Sequence, residues 1–190
     1  LGDEQSGQIQ EIGFTLYSEL LERAVRTLKE GKTLQMDDLH ESKPEIELHI
    51  PALIPEHYLP DVHERLIMYK RIASAADETA LKELQVEMID RFGLLPEQVR
   101  NLFAITRLRN LASQLGIRKV DVGDQGGRLI FSAQPNIDAM KVIELIQGKP
   151  KQFRLDGKDK LRISQEFTSA EQRLTFVMDL LRQLEQREAA

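Results

Sequence analysis

The sequence predicts an α+β fold in which helices dominate and a small, mainly antiparallel sheet is made of short hairpins. Three observations lead to this prediction. Several segments repeat apolar residues at three- and four-residue steps, as amphipathic helices do. Two glycine-containing turns each separate a pair of short strand-like runs. The strands therefore fall in hairpins, and no strand–helix–strand alternation of the kind that builds a parallel sheet runs through the 190 residues.

The first predicted element is a long N-terminal helix over residues 9–30, which Gly31 ends as a C-terminal cap. Residues 33–44 are polar and acidic without a period, so they are predicted to be a linker. Residues 45–50 alternate between apolar and polar side chains, which predicts a half-buried strand with Ile46, Leu48 and Ile50 on one face. Three prolines between residues 51 and 60 then favour an extended connection.

Three helices are predicted next from their capping residues. Asp61, with Glu64 three residues later, begins a helix that runs to about Ala75. Asp77 caps a second helix, which ends near Phe92 where Gly93 follows. The third helix begins at Pro96 and continues to Gly116.

Two hairpins and two helices complete the chain. Each hairpin has glycine in its turn, and each helix has a polar residue at its predicted start. In chain order these are a hairpin of strands 118–122 and 128–132, a helix from Asn136 to Gly148, a hairpin of strands 152–156 and 160–164, and a last helix that Thr168 and Glu171 cap.

Composition excludes several classes of protein. The net charge of −5 argues against a dedicated basic nucleic-acid coat. The absence of Cys excludes disulfides, thiolate zinc sites and a cysteine nucleophile, and it fits a reducing cytosol. No apolar run approaches the roughly 18 residues that a membrane helix needs. Residues 1–60 hold 5 Lys and Arg against 12 Asp and Glu, whereas the remainder is nearly balanced, which suggests two modules.

The candidate catalytic and cofactor motifs are weak. Gly31-Lys32-Thr33 resembles the end of a phosphate loop, but the position that needs glycine holds Arg26 within a helix. Gly123, Gly126 and Gly127 have the wrong spacing for a dinucleotide loop, and a turn explains them better. None of the four His residues has a partner four residues away, so no metal site is predicted. Neither a catalytic constellation nor a cofactor site is therefore predicted in this chain.

Two charged surfaces are candidate binding sites. A loose basic cluster has no regularly spaced aromatic residues, so a solvated face is favoured over a nucleic-acid site. Its members are Arg107, Arg109, Arg118, Lys119 and Arg128. The second surface, the acidic strip, consists of Glu83, Glu87 and Asp90, which helical spacing stacks on one side of a helix. The strip is either an ordinary solvated surface or a docking site for a basic partner.

Two segments resemble the transcription-repair coupling factor family. The first, LGDEQSGQIQEIGFTLYSELLERAV, is similar to the segment that closes the translocase module in this family and in branch-migration DNA helicases. Its core is Gly2, Gln5 and Gly7, followed by Ile12-Gly13-Phe14 and Tyr17. By this resemblance Gly2, Gln5 and Gly7 belong to the loop that couples ATP-driven closure of the motor lobes to movement on duplex DNA.

The second segment spans residues 50–102 and separates the two families. It reads IPALIPEHYLPDVHERLIMYKRIASA, then ELQVEMIDRFGLLPEQVRNL, and it resembles the C-terminal domain of transcription-repair coupling factor, which the branch-migration helicases lack. The similarity continues through GIRKVDVGDQGG and FRLDGKDKLR to the last helix. The resemblance implies that residues 1–32 are the end of a motor module, 33–44 a linker and 45–190 a C-terminal regulatory domain.

The resemblance also implies a function. Members of the family are cytoplasmic ATP-dependent DNA translocases that use ATP and magnesium, displace stalled RNA polymerase and recruit nucleotide-excision repair. Their C-terminal domain docks on an N-terminal excinuclease-B-like module and masks the surface of that module that binds the excinuclease-A protein. Glu87 and Asp90 fall at acidic positions that contact this module, and Glu83 extends the set by helical spacing. Without the ATPase lobes the chain is expected to have no enzymatic activity; the alternatives are an accessory DNA-binding module and an unrecognised enzyme.

Overall fold

A computed structural model describes residues 43–186, which contain five helices and one five-stranded mixed sheet. The predicted N-terminal helix and nearly all of the predicted linker lie outside the described residues. In chain order the elements are β1 (Glu45–Glu47), α1 (Val62–Ser74), α2 (Glu78–Phe92), α3 (Glu97–Leu115), β2 (Ile117–Gly123), β3 (Gly126–Phe131), α4 (Ala139–Gly148), β4 (Phe153–Asp156), β5 (Lys160–Ser164) and α5 (Ala170–Leu184). The α+β class is confirmed.

The described residues divide into two compact units. We call residues 51–106 the helical unit; it holds α1, α2 and the first half of α3. We call residues 43–50 and 107–186 the sheet unit; it holds the whole sheet, the second half of α3, α4 and α5.

The helical unit begins and ends its helices as the sequence predicts. The side chain of Asp61 accepts a hydrogen bond from Glu64 N at 2.7 Å, and that of Asp77 accepts one from Ala80 N at 2.8 Å. Gly93 ends α2 with a φ of 95°, a value that favours glycine. The buried side chains include Leu59, Met68, Ile72, Leu81, Leu84, Met88, Val99, Leu102 and Phe103.

The sheet unit has the strand order β1-β2-β3-β5-β4. Three of its four pairings are antiparallel, which confirms the mainly antiparallel prediction. β1 instead pairs in parallel with β2, so the sheet is mixed and not built of hairpins alone. The strand predicted over residues 45–50 is shorter in the structure, where β1 spans only Glu45–Glu47. Ile46 and Leu48 are buried as predicted, but Ile50 is half-buried and follows His49, whose φ of 54° departs from extended backbone.

Opposite faces of the sheet differ in chemistry. One face carries buried apolar residues from all five strands, and Phe153 and Phe167 both pack their rings against Phe176 of α5. These buried strand residues are Ile46, Ile117, Val120, Val122, Leu129, Phe131, Phe153, Leu161 and Ile163. The other face is polar, because strand side chains alternate between faces.

Two predicted helix caps were wrong by one or two positions. Asp138, not Asn136, caps α4, since its side chain accepts a hydrogen bond from Met140 N at 3.0 Å. Ser169, not Thr168, caps α5 through Gln172 N at 3.1 Å. Both loops hold several residues that can cap, and the side chains of the two predicted caps are used elsewhere: Asn136 Nδ2 donates to Gln114 O at 3.3 Å, and Thr168 Oγ1 donates to Gln172 Oε1 at 2.9 Å.

Candidate functional site

The acidic strip lies on α2, as the sequence predicts. Glu83 and Asp90 are exposed, and Glu87 between them is half-buried. The helix presents all three on one side because residues three and four positions apart lie above one another. Lys82 and Arg91 border the strip.

Glu87 is already engaged within the helical unit. Its Oε2 lies 2.6 Å from Nη1 of Arg71 on α1, and its Oε1 lies 4.0 Å from Nη1 of Arg91. Arg91 also contacts Glu64 of α1, with 3.0 Å between Nη2 and Oε1. The ion pair with Arg71 therefore links Glu87 of α2 to α1 before any partner binds.

Glu83 and Asp90 differ from Glu87 in this respect. Within residues 43–186 neither side chain forms an ion pair. Between them lies Val86, whose side chain is 59% exposed although it is apolar. The strip is thus a shallow surface with a small apolar centre and two free carboxylates beside it, an arrangement typical of the rim and centre of a protein interface.

Sequence reasoning missed three parts of this surface. Arg71 and Glu64 come from α1, and no local pattern pairs them with residues of α2. Val86 could have been identified, since it lies three residues after Glu83 and four before Asp90, on the same face. The spacing that identified the acids could have identified the apolar centre as well.

Residues 43–186 contain no group of three or more His, Cys, Asp or Glu side chains placed to hold a metal ion. In the same part of the chain no helix is long and apolar enough to span a bilayer. The predicted coupling-loop residues Gly2, Gln5 and Gly7 lie outside the described residues.

The basic cluster does not form one free patch. Arg109 is 7% exposed, so it faces the interior. Arg118 pairs with Asp159 at 3.2 Å and Lys119 with Glu45 at 3.5 Å. Arg128 stands exposed on the polar face of the sheet. This arrangement counts against the alternative of a DNA-binding module built on these five residues.

The described residues form an α+β fold that presents a shallow charged surface on α2. The family model described as the TRCF domain matches residues 48–142. The chain belongs to this family, whose curated relatives are transcription-repair-coupling factors, and the family resemblance noted in the sequence is thereby confirmed.

Relatives match almost all of this chain. It is 49% identical to the transcription-repair-coupling factor of Haemophilus influenzae over 96% of its length and 45% identical to that of Escherichia coli over 98%. In both cases the match covers 16% of the relative, so the chain spans about a sixth of these proteins.

A solved structure shares the fold. A crystal structure of the C-terminal domain of transcription-repair coupling factor aligns with a TM-score of 0.61 at 23% identity. The alignment covers 77% of this chain and 97% of that one.

Proposed function

We propose that this chain acts as an autoinhibitory interaction domain of an ATP-dependent DNA translocase that displaces stalled RNA polymerase and recruits nucleotide-excision repair. In this proposal the domain docks on the N-terminal excinuclease-B-like module of the same protein and masks the surface that binds the excinuclease-A protein. The observation that carries the proposal is membership of the TRCF domain family. The accessible acidic strip on α2 supplies the docking surface.

The charges of the strip suit a docking contact that has to be released. Glu83 and Asp90 are exposed, and exposed ion pairs contribute about 0.2–1 kcal/mol each. Such pairs set register and specificity more than affinity. We call the docked contact between this domain and the N-terminal module the latch. Tethering within one protein raises the effective concentration of the two surfaces, so a weak contact is enough to keep the latch closed. Ligands of the motor open it if they bind the open state more tightly.

In this proposal Glu87 has a different role in the latch from Glu83 and Asp90. Because Arg71 and Arg91 hold its carboxylate, Glu87 shapes the surface while Glu83 and Asp90 meet the basic side chains of the partner. Residues 1–32, with Gly2, Gln5 and Gly7, are proposed to be the end of the motor module. ATP and magnesium then bind elsewhere in the full-length protein, and the domain itself performs no catalysis.

Binding of the 190-residue chain to the separately produced N-terminal module tests the latch. The informative variant is Glu83→Lys with Asp90→Lys, which spares the ion pairs of Glu87. We expect it to weaken binding about tenfold at low salt, since two favourable pairs become repulsive. Isothermal titration at about 50 and about 300 mM NaCl measures both the loss and its salt dependence.

The matched control is Glu56→Lys with Glu166→Lys, which makes the same change in net charge at exposed positions outside α2. The control should bind like the unaltered chain. Equal weakening by both variants, or no binding even to a covalently linked module, would contradict the docking surface assigned here.

A further inference from the structure

One row of charged side chains crosses all five strands on the polar face of the sheet. Glu47 of β1 lies opposite Asp121 of β2, which lies opposite Arg128 of β3. Arg128 in turn lies opposite Arg162 of β5, and Arg162 lies opposite Arg154 of β4. From one edge of the sheet to the other the row holds two acids followed by three arginines, so its charges are sorted by sign.

This order is unfavourable for the isolated sheet. Neighbouring strands lie about 4.8 Å apart, and like charges directly opposite one another destabilise a sheet. The row contains a single pair of opposite charges on neighbouring strands, Asp121 and Arg128, and the carboxylate of Asp121 contacts another residue. Oδ1 of Asp121 lies 2.8 Å from Nε2 of His49.

The uncompensated charge is at the arginine end. Arg162 contacts Asp156 at 3.4 Å, with both side chains more than half exposed. Within residues 43–186, Arg128 and Arg154 form neither an ion pair nor a side-chain hydrogen bond, and both are exposed.

The acidic end of the row, Glu47 and Asp121, has a different environment from the arginine end. Partial burial raises the pKa of the Glu47 carboxyl, and repulsion from Glu45 and Asp121 raises it further. The carboxylate of Asp121 pairs with His49, and that of Glu45, the neighbouring acid on β1, pairs with Lys119. The face therefore offers an anion-binding surface three strands wide that ends at an acidic border.

We propose that Arg128, Arg162 and Arg154, the arginine row, bind a segment of a protein partner rich in Asp and Glu. Planar guanidinium groups bind carboxylates through two parallel hydrogen bonds, and three of them on adjacent strands match carboxylates spread over about 10 Å. The row lies in the sheet unit and the acidic strip in the helical unit, so this surface adds to the proposed latch and does not depend on it.

The acidic border favours protein over nucleic acid as the partner. Duplex-binding proteins commonly neutralise about 6–10 phosphates along a continuous track. A phosphate track laid along the row would run from the arginines onto Asp121 and Glu47 and be repelled there. A short acidic segment can end at Arg128, and its own basic residues can meet the acids beyond.

A labelled twelve-residue peptide of alternating Glu and Gly provides the probe. It is titrated with the 190-residue chain at about 25 and about 200 mM NaCl, beside a twelve-base-pair duplex DNA. The test variant is Arg128→Thr with Arg154→Thr, which removes the two unpaired cations and leaves the Arg162–Asp156 contact in place. We expect peptide binding that weakens about tenfold in the variant, and weaker binding of DNA than of peptide.

The matched control is Lys149→Thr with Lys151→Thr, which removes two exposed cations in the loop before β4. It should bind the peptide like the unaltered chain. Undetectable peptide binding, equal loss in the control, or tighter binding of DNA would each overturn the proposal.

Thermal unfolding gives a second readout. Because Thr suits strands and the substitutions relieve repulsion, the test variant should unfold at an equal or higher temperature than the unaltered chain at low salt. If it does not fold, Arg154→Ser on the edge strand alone replaces it, with about a threefold loss of peptide binding expected. A variant that folds, is less stable and still binds the peptide normally would show that the row is structural.

Discussion

Arg173 shows how a single buried cation connects distant parts of the sheet unit. The residue is 8% exposed, and its Nη1 donates to Leu48 O at 2.5 Å and to His49 O at 3.3 Å. Those carbonyls lie just after β1, and His49 has a φ of 54° that few residues other than glycine adopt. The guanidinium of α5 thus satisfies the backbone at the point where the chain leaves the edge strand.

Arg173→Met should destabilise the protein by about 1–3 kcal/mol, because Met keeps most of the apolar stem but leaves a buried carbonyl without its donor. Urea unfolding measures the loss. Arg182→Met, the same substitution at an exposed position of the same helix, should change stability by less than about 0.5 kcal/mol. Unchanged stability in Arg173→Met would mean that water or another donor replaces the guanidinium.

Gly127 allows the backbones of strands β2 and β3 to approach each other closely. A Cβ on Gly127 would overlap the backbone oxygen of Asp121, and no side-chain movement can relieve that contact. Gly127→Ala should therefore separate the two strands and lower the free energy of unfolding by more than about 1 kcal/mol. In α4, by contrast, Gly148→Ala meets nothing within 4 Å and should stabilise by up to about 1 kcal/mol. Paired thermal melts compare the two, and equal effects would contradict the argument.

The same elements show what sequence can and cannot predict. Asp61, Asp77 and Gly93 were assigned correctly because a cap acts on the backbone two or three residues away. The alternation around Ile46 predicted a strand, but its parallel pairing with β2 joins residues that lie far apart in the chain, Ile46 with Val120, which no local pattern encodes.

The candidate site likewise has one part that the sequence predicts and another that only the folded structure defines. Helical spacing placed Glu83, Glu87 and Asp90 on one face of α2. Arg71, which reaches Glu87 from α1, is fixed by tertiary packing. Nor could the arginine row be predicted, since its three members come from three strands whose register only the folded sheet defines.

On the scale of the whole molecule, charge is distributed unevenly over a chain whose net charge is −5. The helical unit presents free carboxylates at Glu83 and Asp90, whereas the sheet unit presents free guanidinium groups at Arg128 and Arg154. Such separation gives the two units different electrostatic preferences, so partners of opposite charge can be selected independently.

The proposed latch makes a prediction for a full-length protein. Replacing the matching segment of the Haemophilus influenzae relative with this chain gives a chimera in which the domain and its proposed docking module are tethered. Introducing Glu83→Lys and Asp90→Lys should then raise the rate of ATP hydrolysis without DNA, because the closed state loses its charge pairs and the motor spends more time unrestrained. At about 300 mM NaCl the difference should shrink, since salt weakens the same pairs in the unaltered chimera. The Glu56→Lys, Glu166→Lys chimera should hydrolyse ATP at the unaltered rate. If the strip variant also did so at low salt, α2 would not be the face that restrains the motor.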